Sequence, residues 1–180
     1  MRIARTGTTA LFIDFQEKLF PAMNDKDILL KNSILLLKGL TILDIPISFT
    51  QQYTRGLGET LESMSSLIPE FSPIEKIEFS SFGAEVYRNF LSLHESKTVI
   101  ICGIEAHVCV LQTAVDLREA GYFPVVITDC ITSRTESSKT GALERFRFEN
   151  IMTSTFESIL FELTRTSGAE EFRAISKLVK

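Results

Sequence analysis

The fold can be read from Lys97-Thr98-Val99-Ile100-Ile101-Cys102-Gly103-Ile104-Glu105-Ala106-His107-Val108-Cys109-Val110, a segment that predicts a strand followed at once by a helix. The segment opens with a run of mainly β-branched residues without polar alternation, which is typical of a parallel strand buried on both faces. We expect Gly103 to break this strand and a helix to extend from near Glu105 to Gly121, a suitable C-terminal glycine. Its apolar side chains recur at helical spacing, at Leu111, Ala114, Val115 and Leu117.

This arrangement puts Cys109 in the first turn of a helix that follows a strand. In open α/β sheets, ligands bind outside the carboxyl ends of the strands. Unpaired N–H groups and the positive end of the helix dipole would lower the pKa of a thiol there and could hold an oxyanion. The alternative is a core cysteine, because a free cysteine usually behaves as a small buried hydrophobe.

Strand and helix patterns alternate along the whole chain. The expected strands cover 8–16, 47–51, 74–79, 98–102, 123–130 and 151–154, and the expected helices cover 24–44, 82–94, 105–121, 136–148, 156–164 and 170–178. Ser80-Ser81 could cap the second of these helices. This alternation predicts one domain over residues 1–180, an α/β/α three-layer sandwich with a doubly wound, mostly parallel six-stranded sheet.

Composition narrows the choice of partner. The 180 residues carry a formal net charge of −4, which gives no general footprint for nucleic acid or for an anionic membrane surface. The apolar runs are interrupted by polar residues, so we expect no membrane span and no signal peptide. Three cysteines without a CxxC pair predict neither a disulfide framework nor a structural zinc site, and they favour a reducing cytoplasm.

Two more reactive side chains stand at or just after the carboxyl ends of expected strands. Asp14 follows the first apolar run, where it is either a helix cap or an active-site group. Lys76 lies in the third strand, where a lysine is usually a surface residue. Because the carboxyl ends of parallel strands share one edge of a sheet, Asp14, Lys76 and Cys109 could converge.

The chain resembles the isochorismatase-like cysteine hydrolase superfamily, which includes nicotinamidases and N-carbamoylsarcosine amidohydrolases. The resemblance rests on residues 12–16, 76–82 and 102–110, on the order Asp, Lys, Cys, and on the glycine six residues before the cysteine. It covers nearly the whole chain. Further matches indicate the isochorismatase-domain-containing branch, whose substrates are poorly defined; they lie at 50–53, 56–58, 133–134, 142–146 and 170–178.

The resemblance implies an amidohydrolase-type enzyme that acts on a small amide, or a related carbon–nitrogen bond other than a peptide bond, through a covalent thioester. Asp14, Lys76 and Cys109 would form the catalytic triad, with Asp14 as the base and Lys76 lowering the pKa of the thiol. The Ile104–Glu105 peptide bond would be cis, and the backbone amides of Glu105 and Cys109 would form the oxyanion hole. The family also forms homo-oligomers, so we expect one here.

Departures from the family pattern are informative as well. Isochorismatases proper lack the nucleophilic cysteine, so Cys109 speaks against cleavage of a vinyl ether. Nicotinamidases bind a metal after the second strand, but residues 51–54 read Gln-Gln-Tyr-Thr here, and the two histidines are His94 and His107. We therefore expect no metal ion and no other cofactor. His107 is expected to pack or to face a partner rather than to take part in catalysis.

Recognition of a small-molecule substrate is assigned to the loop after the second strand. Gln52, Tyr53 and Arg55 are candidates for the pocket rim, and the arginine suits a substrate that bears a carboxylate. The alternative is a solvated loop.

Two other functions stay open from the sequence. A non-catalytic oligomeric binding or scaffold protein could retain the hydrolase fold. A redox-sensing thiol is also conceivable at Cys109, although Cys102 and Cys130 are expected in the core rather than as resolving partners.

Overall fold

The computed structural model of the chain describes residues 2–180. Its strands are β1 (Thr8–Ile13), β2 (Ile47–Gln52), β3 (Ile74–Lys76), β4 (Thr98–Ile104), β5 (Phe123–Thr132) and β6 (Met152–Ser154). Its helices are α1 (Lys26–Ile42), α2 (Thr54–Leu57), α3 (Glu62–Ser65), α4 (Glu85–Leu93), α5 (Leu111–Glu119), α6 (Glu136–Phe148), α7 (Phe156–Thr164) and α8 (Phe172–Leu178). Two 3₁₀ turns, Phe20–Ala22 and Ser81–Gly83, and a π-helical turn, Ala106–Val110, complete the list.

The strands form one parallel six-stranded sheet in the order β3-β2-β1-β4-β5-β6. Residues of β1 and β4 contribute alternately to two apolar cores, one on each face of the sheet. The core under α1, α7 and α8 contains Phe12 and Ile100, and the core under α4, α5 and α6 contains Ile13 and Ile101. The predicted three-layer α/β/α sandwich is confirmed. Among residues 2–180, none of the helices has both the length and the apolar character that crossing a membrane requires.

The prediction that Gly103 breaks the fourth strand is wrong. β4 continues to Ile104, and Gly103 pairs with Ile13 of β1. Gly103 has a φ of +135°, and a Cβ atom placed there would lie 2.2 Å from the carbonyl oxygen of Ile13. The glycine therefore lets the two central strands approach each other rather than ending one of them.

Three other expectations need correction. β3 ends at Lys76 instead of residue 79, because the carbonyls of Glu78 and Phe79 turn back to bond the lysine ammonium group. β5 continues to Thr132 instead of ending at residue 130, so Asp129 lies within the strand, where its carboxylate accepts a hydrogen bond from the Phe156 amide. α4 begins at Glu85 without a side-chain cap, so the expected serine cap is not formed.

Candidate active site

The candidate site lies where the chain leaves β1 and β4, the two central strands. The chain passes from β1 to α1 on one face and from β4 to α5 on the other, and such a change of face is where ligands bind in open α/β sheets. Asp14 directly follows β1, Lys76 ends β3, and Cys109 lies in the π-helical turn after β4. All three residues are buried, with relative exposures of 0%, 2% and 6%.

A buried ion pair joins two of these side chains. Lys76 Nζ lies 2.7 Å from Asp14 Oδ2, and the Thr50 hydroxyl donates to Asp14 Oδ1 at 2.8 Å. The ammonium group also donates to the carbonyl of Phe79 at 3.1 Å and to Gln52 Oε1 at 2.8 Å. Such a complete shell is what a charge removed from water requires, because an unpaired buried charge costs several kcal/mol.

The thiol of Cys109 adjoins this pair. Burial raises the pKa of Cys109 to about 12, and the negative charge of Asp14 adds to the increase. The charge of Lys76 and a hydrogen bond from the Glu105 amide lower the pKa, but they do not outweigh burial. The expectation of a depressed thiol pKa is therefore wrong for this closed site. The thiol keeps its proton at neutral pH, and Asp14 is one of the charged groups that act on it.

Glu105 connects the π-helical turn that carries Cys109 to the loop after β5. The Ile104–Glu105 peptide bond is cis, and the Glu105 carbonyl accepts hydrogen bonds from the amides of Val108 and Val110. Its carboxylate Oε2 accepts from Arg134 twice, from Nε at 3.0 Å and from the backbone amide at 3.1 Å. The carboxylate thus fixes the position of Glu105, whose backbone amide faces the sulfur of Cys109.

The two histidines lie apart from these contacts. His107 Nδ1 is 2.9 Å from the Ser133 hydroxyl, so this ring packs against the loop after β5. His94 follows α4 and lies against Phe90. Within the part of the chain that the structure describes, no group of three or more histidine, cysteine, aspartate or glutamate side chains is placed to hold a metal ion.

The residues assigned to substrate recognition separate into two environments. Gln52 points inward, where Oε1 accepts from Lys76 and Nε2 donates to the Ile77 carbonyl at 2.6 Å. Tyr53 and Arg55 instead line an open cleft of about 520 Å³ on the outer side of β3. The lining of that cleft includes Lys76 but neither Asp14 nor Cys109.

Sequence reasoning missed the residues that support the ion pair. Thr50 and Gln52 both lie in β2, and neither was expected to contact Asp14 or Lys76. Gln16 fixes the same strand end, because its side chain bonds both the amide and the carbonyl of Gln52. A signal was present, since a cluster of polar residues at the carboxyl end of an otherwise buried strand needs internal partners.

Comparisons with known proteins give matches over most of the chain. The family model "Isochorismatase domain" matches residues 8–156. The isochorismatase domain-containing protein 2 of Danio rerio is 32% identical over 178 residues, which cover 99% of this chain and 89% of that protein. The secreted isochorismatase effector Isc1 of Phytophthora sojae is 36% identical over 149 residues, which cover 81% of this chain and 71% of that protein.

Two solved structures are similar over nearly the whole chain. The MAR1 ribonuclease of Caenorhabditis elegans superposes with a TM-score of 0.93 at 31% identity, and the match covers 99% of this chain and 92% of that one. The YcaC gene product of Escherichia coli, an octameric hydrolase of unknown specificity, gives a TM-score of 0.93 at 20% identity, with 99% and 89% covered. The second likeness shows the shared fold alone.

Proposed function

This chain belongs to the isochorismatase family, and on that premise we propose that it is a cysteine hydrolase that cleaves a small amide, or a related carbon–nitrogen bond, through a covalent thioester. The observation that carries the proposal is the buried Lys76–Asp14 ion pair beside the Cys109 thiol. A general base next to a nucleophile, with a third group that orients the base, is the recurring arrangement for covalent acyl transfer.

The first half of the proposed reaction forms the thioester. Cys109 Sγ attacks the carbonyl carbon while its proton passes to the Asp14 carboxylate. The carbonyl oxygen becomes an oxyanion that accepts hydrogen bonds from the backbone amides of Glu105 and Cys109. The carbon–nitrogen bond then breaks, and the amine leaves with the proton that Asp14 received.

The second half regenerates the enzyme. Asp14 takes a proton from water, and the hydroxide attacks the thioester carbon. The carbon–sulfur bond breaks, the acid leaves, and the proton returns to the Cys109 sulfur. Lys76 stays protonated throughout and keeps Asp14 in place through the 2.7 Å contact. Because the thiol pKa is raised to about 12, a base at this position is needed at neutral pH.

The test is a screen of primary amides, carbamoyl compounds and other small amides against wild type, Cys109→Ala and Asp14→Asn. Turnover with an acyl adduct on Cys109, detected by mass spectrometry, and loss of turnover in both variants would support the proposal. Cys130→Ala is the matched control, since this cysteine lies buried in β5. Full turnover by Cys109→Ala would refute the mechanism. A wild type that binds partners without turnover or adduct would favour the scaffold function.

Ribonuclease activity is the second candidate, because the similar Caenorhabditis elegans protein is a ribonuclease. A net charge of −4 gives this candidate little electrostatic support, since RNA binding depends on neutralising phosphates. Single-stranded RNA incubated with wild type and with Cys109→Ala distinguishes the two functions. Cleavage by both proteins would show that the ribonuclease activity does not depend on the Cys109 thiol.

We also propose that the protein acts as a homo-oligomer, in the cytoplasm. The octameric assembly of the Escherichia coli YcaC product supports the first part. The exposed apolar side chains of Ile77, Phe79 and Val86, near the end of β3 and the start of α4, offer a surface for association. Light scattering after size-exclusion chromatography tests oligomer formation, and Ile77→Asp should weaken it if this surface is used.

A further inference from the structure

Four buried side-chain polar atoms in residues 2–180 lack a hydrogen-bond partner: the hydroxyls of Ser33, Ser80, Ser81 and Tyr87. Three of the four belong to the short segment 80–87, which follows the segment that surrounds Lys76. Buried polar groups without partners are rare in native proteins, because each has lost water and gained nothing in return. Ser80 and Ser81 are adjacent, so a ligand that reaches this turn could supply the missing bonds.

The position of Ser80 connects it to the candidate active site on two sides. On one side, the Phe79 carbonyl accepts a hydrogen bond from Lys76 Nζ at 3.1 Å. On the other side, the Ser81 amide donates to Thr113 Oγ1 at 2.9 Å, and this hydroxyl donates to the Cys109 carbonyl at 2.6 Å. Ser80 therefore lies in a turn that is fixed between the lysine and the helix that carries the nucleophile.

Ser80 suits a ligand better than Ser81 does. Ser80 is 8% exposed as a residue, although its hydroxyl oxygen is buried, whereas the whole of Ser81 is buried. The Ser81 backbone is already engaged with Thr113, which holds the turn rather than a ligand.

We propose that the Ser80 hydroxyl is a substrate-binding group that accepts a hydrogen bond from the N–H of the scissile amide. This inference rests on the proposed hydrolase function and names the substrate class of that site: amides and carbamoyl compounds whose nitrogen carries at least one hydrogen.

The surrounding groups explain why an acceptor is needed. The Glu105 amide is a hydrogen-bond donor, which suits a carbonyl oxygen or an oxyanion, whereas the Lys76 ammonium group already has acceptors for its hydrogens. Asp14 is an acceptor, but its two oxygens already receive bonds from Lys76 and Thr50. A hydroxyl without a partner can accept from an N–H, and an ester or a tertiary amide has no such hydrogen to donate. Ser80 would therefore favour carbonyl compounds whose nitrogen carries a hydrogen over esters and tertiary amides.

The experiment compares two small electrophiles on Cys109, acrylamide and acrylonitrile, at alkaline pH. In both reactions the sulfur bonds to the terminal vinyl carbon, the thiol proton ends on the carbon next to the amide or nitrile, and nothing leaves. Only acrylamide carries N–H groups. The ratio of their second-order rate constants, measured by mass spectrometry of the Cys109 peptide, reports the contribution of an N–H acceptor without knowledge of the true substrate.

We expect Ser80→Ala to lower the acrylamide-to-acrylonitrile ratio by about five- to tenfold, the usual effect of one hydrogen bond. Ser80→Thr, which keeps the hydroxyl, should restore most of the ratio. Tyr87→Phe is the matched control, since it removes another unpartnered buried hydroxyl, in α4. Ser80→Ala should unfold at the same temperature as wild type, because the hydroxyl has no partner to lose.

Each result decides the question. A ratio unchanged in a folded Ser80→Ala protein, with Cys109 still reactive, would overturn the role of Ser80 and leave the hydrolase proposal standing. A wild type whose Cys109 reacts with neither reagent and which hydrolyses no amide would overturn both. Should alanine prevent folding, the pair Ser80→Thr and Ser80→Val gives the same comparison, since the two side chains have similar shapes and only threonine carries a hydroxyl.

Discussion

Lys76 and Asp14, 62 positions apart in the sequence, form an ion pair of 2.7 Å in which neither side chain is exposed to solvent. Each charge is stable in the interior only because the other is present. Lys76→Met keeps the length of the side chain but leaves the carboxylate unpaired.

We expect Lys76→Met to lower the free energy of unfolding by about 3 to 5 kcal/mol, measured by urea denaturation. The double variant Lys76→Met with Asp14→Asn should lose less than the sum of the two single variants, since it removes both charges. Additive losses would show that the pair does not act as a unit.

The thiol of Cys109 should respond to pH in the direction set by burial. Because its pKa is raised to about 12, iodoacetamide should modify Cys109 more slowly at neutral pH than a free thiol with a pKa of about 8.5. The rate should continue to rise through the alkaline range. An apparent pKa below that of a free thiol, located on Cys109 by mass spectrometry, would contradict the environment described here.

The Asp14→Asn variant separates the effect of the Asp14 charge on the pKa of Cys109 from the role of Asp14 as a base. Removal of the carboxylate charge lowers the pKa of Cys109, since Asp14 is one cause of the increase. Alkylation at neutral pH should therefore become faster, while turnover of an amide disappears with the base. If alkylation slows as well, Asp14 must assist the thiol in both reactions, and its charge is not the main effect on the thiol.

Gln52 should act as a positioning residue rather than as part of a pocket rim. Its carboxamide bridges Lys76 Nζ and the Ile77 carbonyl. Gln52→Leu should lower kcat by about tenfold with little change in KM, since the loss concerns the orientation of the lysine. Arg55→Ala is the comparison, and it should leave kcat unchanged. A larger effect of Gln52→Leu on KM than on kcat would indicate that Gln52 binds substrate instead of positioning Lys76.

Two glycines give opposite predictions for the same substitution. Gly103→Ala places a Cβ 2.2 Å from the Ile13 carbonyl at a φ of +135°, so we expect a loss of at least about 3 kcal/mol in stability or a failure to fold. Gly141 lies inside α6 with open space around it, and Gly141→Ala should gain about 0.5 to 1 kcal/mol. Denaturant unfolding measures both, and equal effects would contradict this interpretation.

Local patterns in the sequence predicted much of the fold. The helices expected at 136–148 and 156–164 have these bounds in the structure, because Thr135 and Thr155 accept hydrogen bonds at their N-termini and the apolar spacing is regular. The end of β4 was missed since it depends on the pairing of Gly103 with Ile13, a contact between distant parts of the chain.

The candidate site was predicted less completely. The strand ends indicated that Asp14, Lys76 and Cys109 would share one edge of the sheet, and the parallel order places them there. The sign of the thiol pKa shift was missed because it depends on desolvation, which a sequence does not show. The inward turn of Gln52 was missed for a similar reason, as its partner Lys76 ends β3 and its partner Ile77 follows that strand.

The central position of β1 also sets the order in which the protein can assemble during synthesis. β1 emerges from the ribosome before the other five strands of the sheet, yet Thr8 pairs with Thr98 and Ile13 pairs with Gly103 on β4. A nascent chain that ends before β4 can join β1 to β2 and β3 and so bring Lys76 to Asp14, but one side of β1 stays open. An exposed strand edge favours association with other chains. This edge of β1 therefore stays unpaired until β4 is complete, and Cys109 is the last of the three candidate site residues to be added.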